Sequence, residues 1–391
     1  MFKKKLLSLI VLLGSVSIVW AGNLKIKVYN PGPKAIFPIT STIIYGDKDA
    51  ILIDAQFQKQ YAEQLVKEIK ATGKNLKTVF ISHSDPDFYF GLDVIRKAFP
   101  DVKIISTAQT AFLISASKDD KLSVWKPQLK DDAPSEIIIP EAVTRIPDLE
   151  GNTIDLKQNP EDPAHSFIWI PSLKTVAGGI SVSTGSHIWL ADTQNLKAID
   201  QWIGQIEVMK SLKPEQVIPS HFAKQSWSPQ SLDFVKNYLE NYKTAVTEYK
   251  TASAIVDFMV KKYPDLPGKE ELEMGAKVFL GEIDWDLKSP YPAIGRKVEV
   301  DFGTVKFLLD FKDNKTMTFT GTAGSSKSST DTVNYTAVEV AKNVFMVYWH
   351  EPHLGFNVTH IQDYNKNIVY SNIASPDGTF THPKGAFKIL K

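Results

Sequence analysis

The sequence predicts a layered α/β domain, then a helical segment, then an antiparallel β-sandwich or barrel. Three observations carry that reading. Over residues 22–225 short β-rich runs alternate with helical stretches, the alternation that builds a sheet covered by helices. Residues 229–280 carry helical patterns alone. From Arg296 onward apolar and polar residues alternate with a period of two, and turn signals recur at roughly 8–12 residue spacing, the mark of an all-β fold.

The first twenty-one residues read as an export signal. Lys3, Lys4 and Lys5 precede a nearly apolar run from Leu6 to Val19, and Ala21 closes a cleavage site. The run falls short of the ~20 residues a membrane span needs. The mature chain is therefore expected to begin at residue 22, to be periplasmic or secreted, and to leave no membrane segment behind. It would carry 42 basic and 44 acidic side chains, because three of the 45 basic residues lie in the leader. So even a balance offers no general attraction to nucleic acid. A hydrophobic fraction of 43% with 23% charged residues excludes wholesale disorder. The chain has no cysteine, which excludes disulfides, thiolate metal ligands and a cysteine nucleophile.

The front elements follow in order. Phe37 to Asp54 reads as strand, turn, strand. Gln58 to Ala71 places Tyr61, Leu65, Val66 and Ile69 on one helical face. Lys77–Ser82 is a buried strand, Leu92–Phe99 a short helix and Val102–Ser106 another strand. Pro229 opens a long helix to about Lys250, two further helices run to about Leu280, and residues 281–294 form a proline-bearing linker. The long helix is a candidate homodimer contact. In the last part Val298, Val300, Phe302, Val305, Phe307, Leu309 and Phe311 alternate with polar residues, with a slip at Gly303. Asp313-Asn314 is a turn, Thr316–Thr322 a strand and Gly324–Ser329 a loop of small residues. Strands follow at Tyr335–Val340, Asn343–Trp349, Asn357–Asp363 and Asn367–Asn372.

The motif that carries chemistry is His83-Ser84-Asp85-Pro86-Asp87, which follows the buried strand directly. Side chains at the carboxyl end of such a strand face the crevice where α/β proteins bind ligands. Imidazole and carboxylate at i, i+2 and i+4 suit Zn²⁺, Mn²⁺ or iron. The same residues can equally form a capped turn with Asp87 starting the helix.

The stretch from Thr40 to Phe57, a helix, and then KTVFISHSDPDFYFGLDVI resembles the metallo-β-lactamase superfamily. Ser82-His83-Ser84-Asp85-Pro86-Asp87-Phe88, with Gly91, lies in register with that family's T-H-x-H-x-D-H-x-x-G loop. Asp54 matches its early Asp-containing turn, His165 its next metal histidine and Val217-Ile218-Pro219-Ser220-His221 its last. The sequence departs from the pattern at three places. Asp85 stands for the second histidine, Phe88 for the third, and Gly179 for the bridging aspartate. The resemblance implies an αββα sandwich over about residues 22–228 and a metal-dependent hydrolase with an altered site. The implied ligands are His83, Asp85, Asp87, His165 and His221, holding one Zn (or Mn or Fe) ion rather than two. Asp87 would orient the attacking water, and the reaction would open a small-molecule ester, lactone or amide. His187, Asp192 and Lys224 are candidate substrate contacts, and no other Arg or Lys clamp is evident near the motif.

From about residue 295 to 391 a second resemblance holds, to the calycin-type β-barrel of MoaF-like proteins. Trp349, Glu351, Thr359, His360, Asp363, Tyr370, Asn372, Pro376, Asp377 and Gly378 carry it. It implies a closed antiparallel barrel able to hold a small ligand. Phe307, Phe311, Phe345 and Trp349 could instead fill its core. The alternative function follows: a catalytically weakened front domain serving as a scaffold, with the ligand in the barrel.

Overall fold

The computed structural model describes residues 23–159, 162–222, 227–285 and 290–390. The expected leader over residues 1–21 and Lys224 lie outside them. No described helix is long and apolar enough to cross a membrane.

The first sheet holds β1 (Lys25–Tyr29), β2 (Ser41–Tyr45), β3 (Asp49–Ile53), β4 (Asn75–Ile81), β5 (Lys103–Ser106) and β6 (Glu141–Ala142), side by side in chain order. The first three run antiparallel; β3 to β6 run parallel. Between them come α1 (Lys59–Lys70), α2 (Pro86–Tyr89), α3 (Leu92–Ala98) and α4 (Ala108–Leu129). The second sheet orders β7 (Asp155–Asn159), β8 (Asp162–Ile170) and β9 (Thr175–Ala177) in chain order. A two-residue ribbon pairs β10 (Ser183–Thr184) with a later strand, and α5 spans Leu196–Ser211. Next come β11 (Gln216–Val217), which lies beside β9, and β12 (His221–Phe222), the partner of β10.

Period-two patterning divides each strand between two cores, because successive side chains point to opposite faces. Ile44, Ile51, Ile53 and Phe80 meet Ile168 and Ile170 between the sheets. Their neighbours Ile43, Leu52, Val79 and Ile81 face the other way, onto Leu65, Val66 and Ile69 of α1 and Leu92 and Ile95 of α3. On β8, Phe167 and Trp169 face outward onto Ile199, Trp202 and Ile206 of α5. The result is the expected αββα sandwich.

The helices α6 (Gln230–Glu248), α7 (Ala252–Lys262) and α8 (Lys269–Phe279) join that outer helical layer. Leu232, Val235, Tyr238, Leu239 and Tyr242 of α6 are buried there. The apolar face of this long helix is thus covered within the same chain. Two helices escaped the sequence reading. In α4 the apolar residues lie on more than one face, since Ile114 and Leu129 pack on the first sheet's helical layer while Phe112 packs on the C-terminal domain. That spreads the stripe and hides the period. In α5 the buried residues Ile199, Trp202, Ile206 and Met209 do keep helical spacing.

The C-terminal strands are β13 (Lys297–Asp301), β14 (Lys306–Phe311), β15 (Thr316–Ala323), β16 (Thr330–Ala341), β17 (Val344–His350), β18 (Asn357–Asp363), β19 (Ile368–Ala374), β20 (Phe380–Thr381) and β21 (Lys384–Ile389). β13 to β19 pair in succession, and β21 pairs with both β19 and β13, which closes an eight-stranded barrel. β20 hangs from β19. The slip expected at Gly303 is a turn: Gly303 adopts φ +83° and its N–H donates to the Asp301 carboxylate at 2.8 Å. Phe311, Phe345 and Trp349 are buried in the barrel core, with Phe307 packed against them.

Tyr291, from the preceding segment, enters that core. Its ring lies 5.3 Å from Phe311 and 5.2 Å from Phe345, and its hydroxyl donates to Gln362 Oε1 at 2.7 Å. Tyr364 donates to the same oxygen at 2.9 Å. Tyr291→Phe should keep the packing and lose one buried hydrogen bond, a cost of about 1 kcal/mol. Urea unfolding of the two proteins checks this, and equal midpoints would refute it.

Candidate active site

The strand β4 ends at Ile81 and delivers Ser82 and His83 to the crevice. Asp85 stays extended at the start of α2, Pro86 takes the first helical position and Asp87 lies in the first turn. Proline is tolerated there because its missing N–H would be unpaired in any case. This short helix turns Asp87 inward, where it is 8% exposed. His221 comes from the far side. It pairs with Ser183 across the β10–β12 ribbon and bridges to Ile39, while Thr40 N–H donates to the Ser220 carbonyl at 2.7 Å. Its position is therefore fixed by the β10 ribbon on one side and by the segment leading into β2 on the other.

Two pairs result. His221 Nε2 lies 2.8 Å from Asp87 Oδ2, and His221 Nδ1 lies 3.2 Å from Ser220 Oγ. His83 Nδ1 accepts the Asp85 N–H at 3.2 Å and lies 3.4 Å from Asp85 Oδ2. Phe88 is fully buried between them, its ring 5.1 Å from His83 and 5.9 Å from His221. His165 is stacked on Trp202 at 4.6 Å, and Trp202 donates to the Ser181 carbonyl.

Electrostatics tie the pairs together. Burial lowers the His83 pKa; the Asp85 charge opposes this, and Lys121 and His165 reinforce it. Burial works to raise the Asp85 pKa, but His83 and Lys121 outweigh it and hold the carboxyl below its ordinary range, with His221 adding to the effect. His83 and His221 thus flank the Phe88 ring, and the His165 charge acts on His83.

Lys121 is the residue that sequence reasoning missed. It reaches in from α4, and its ammonium donates to the Ser84 carbonyl at 2.8 Å and to Asp85 Oδ1 at 3.1 Å. Nothing in the local pattern marks it, because only the packing of α4 brings it to the motif. Asp192 sits nearby, held by two indoles: Trp189 donates to Oδ2 at 2.7 Å and Trp285 to Oδ1 at 2.8 Å. Burial, with the Asp85 charge adding, pushes its pKa up to about 6. His187 lies in the helical layer instead. It is buried with Nδ1 2.8 Å from the Tyr238 hydroxyl of α6, and burial lowers its pKa. Lys224 lies outside the described residues.

Beneath the cleft runs a buried chain. Asp54, at φ +62°, accepts the Ser82 N–H at 2.8 Å and the Ser82 hydroxyl at 2.6 Å, and Ser82 Oγ accepts the Gly179 N–H at 2.8 Å. Burial raises the Asp54 pKa from 3.8 to about 7; the Asp87 charge adds to this and the Ser82 bonds oppose it. The folded state thus keeps this proton to higher pH than the unfolded chain. The stability it confers is full below about pH 4 and is lost as pH rises towards 7. Asp54→Asn should therefore gain stability relative to the wild type as pH rises from 4 to 8, reaching about 4 kcal/mol. Thermal melts across that range check it; parallel curves for the two proteins would sink it.

The donors do not fit a resident metal ion. Among the described residues no three His, Asp or Glu side chains are gathered to hold one ion. Two donors 2.8 Å apart, as in the Asp87–His221 pair, have a spacing that ligands ~2.0–2.2 Å from one ion can also show, but the third donor is missing. The family's bridging carboxylate cannot supply it, because Gly179 stands in that place at φ +76°, where a Cβ would fall onto the Ser166 carbonyl oxygen. No carboxylate fits that backbone. At the other pair, an ammonium already sits on Asp85.

Comparison with known proteins agrees with the architecture. Residues 36–221 match the model of the metallo-β-lactamase superfamily, and residues 294–388 match the MoaF-like model. Uncharacterized protein YobT of Bacillus subtilis (strain 168) is 26% identical over 94 residues, which are 24% of this chain; the match spans 39% of that protein's length. Among solved structures, a metallo-β-lactamase family protein from Thermus thermophilus is 11% identical with a TM-score of 0.47, covering 66% of this chain and 93% of its own. A β-lactamase domain protein from Burkholderia ambifaria is 10% identical with a TM-score of 0.47, covering 68% and 88%. The αββα part of this chain belongs to the metallo-β-lactamase superfamily, and the barrel that follows it is a MoaF-like domain.

Proposed function

We propose that the αββα domain hydrolyses an ester, lactone or amide of a small molecule, with Asp87 taking the proton from the attacking water. Membership of a hydrolase-rich superfamily supports the reaction class. The observation that carries the assignment is the Asp87–His221 pair. Oδ2 of Asp87 is held by the imidazole at 2.8 Å, while Oδ1 takes no hydrogen bond from another described residue. A carboxylate fixed by one oxygen and open at the other can orient a water and receive its proton. The water oxygen bonds to the carbonyl carbon, the bond to the alkoxide or amine breaks, and the proton passes from Asp87 to that leaving group. His221 keeps the carboxylate aimed throughout.

The test is turnover of a panel of chromogenic esters, lactones and anilides by chelator-treated full-length protein. Hydrolysis above a heat-denatured blank is expected for at least one class, and none on any class would overturn the reading. Export to the periplasm or medium is proposed on the leader sequence alone; fractionation of expressing cells tests it.

A second reading, a small-molecule binder, rests on the barrel. Ser371 is 2% exposed and its hydroxyl has no hydrogen-bond partner among the described residues. It stands in register with His360, whose pKa burial lowers to about 3. An unpaired buried hydroxyl beside a neutral imidazole invites a polar ligand group. Retention of a small molecule by wild-type protein but not by Ser371→Val, measured by mass spectrometry of the denatured extract, tests it.

A further inference from the structure

We propose that the ammonium of Lys121 takes the place of a metal cation in this cleft, and that this side chain keeps divalent ions from binding to Asp85. The inference stands apart from the hydrolytic reading, because it concerns only what the cleft's oxygen donors hold.

The geometry is that of a filled cation site. One backbone carbonyl oxygen, from Ser84, and one carboxylate oxygen, from Asp85, converge on the same ammonium at 2.8 and 3.1 Å. Both are hard oxygen donors of the kind that divalent ions take. The other Asp85 oxygen lies 3.4 Å from His83 Nδ1. Asp192 is locked in orientation by its two indole bonds. Lys121 acts on the ionisation of both carboxyls. The side chain is only about a quarter exposed, and α4 is anchored through Phe112, Ile114 and Leu129. The charge is thus delivered by a rigid element. An ammonium held on Asp85 supplies the neutralising charge itself, and it repels a second cation at close range in a partly buried cleft. Its removal leaves the Ser84 carbonyl and the Asp85 carboxylate, with His83 3.4 Å away, without a cation.

The experiment is calorimetric titration of Zn²⁺, and separately of Mn²⁺, into chelator-treated full-length protein, with circular dichroism to confirm folding. The wild type should bind either ion weakly. Lys121→Met should bind at least tenfold more tightly, near one equivalent. Lys121→Arg, which keeps the charge, should behave as the wild type. Asp85→Asn combined with Lys121→Met should lose the gain. Tight stoichiometric binding by the wild type would overturn the proposal, even if the Met variant failed to fold. So would a folded Met variant with unchanged affinity. No substrate enters the titration, so its failure is separate from failure of the hydrolase reading.

Discussion

Asp87→Asn is expected to lower kcat by about 10²–10⁴-fold on whichever ester, lactone or amide the wild type cleaves. KM should move little. The substitution keeps the volume and leaves one oxygen to accept from His221 Nε2, where Asp87 Oδ2 now lies at 2.8 Å. It removes only the capacity to take a proton. The fold should survive, since the cost is confined to one charge-assisted bond of about 1–3 kcal/mol. A variant that merely loosened the loop would raise KM and lower the melting temperature together. Retention of a tenth or more of the wild-type kcat would remove Asp87 from the reaction.

Gly179→Asp, the substitution that would restore the family's bridging carboxylate, should destabilise the protein rather than repair a metal site. Gly179 adopts φ +76°, a conformation costly for any residue with a Cβ. The new Cβ would meet the backbone carbonyl of Ser166, which cannot rotate away as a side-chain tip can. The Gly179 N–H would also be pulled off Ser82 Oγ, breaking the chain that ends at Asp54. Strain at such a position together with a lost buried bond costs about 3–5 kcal/mol, a fall of roughly 10 °C in melting temperature. Gly204, exposed in the middle of α5 with open space around its Cα, is the control. Gly204→Ala should raise stability by about 0.5–1 kcal/mol. A Gly179→Asp protein that melts with the wild type and binds zinc stoichiometrically would show that this backbone can accept the ligand after all.

Several parts of the molecule were legible in the linear chain. The alternation of Ile43, Ile44, Ile51, Leu52 and Ile53 already divides two strands between two cores. The register of His83, Asp85 and Asp87 after a buried strand already places them at a crevice. The three departures from the family pattern were visible as single letters. The barrel was legible down to most of its strands, although the closing strand β21 was not, because Lys384–Ile389 carries only one fully buried side chain, Phe387.

What the letters could not convey was which side chains would meet. Periodicity is a local property, written within ten or twenty residues, and it decides which face of an element is buried. Contact between Lys121 and Asp85, or between Asp192 and the indoles of Trp189 and Trp285, depends on how whole elements pack. So does the clash that forbids a side chain at Gly179. The architecture of this protein follows from its local patterns of apolar residues. That Lys121 meets Ser84 and Asp85 was decided only when α4 was packed against the loop that carries the motif.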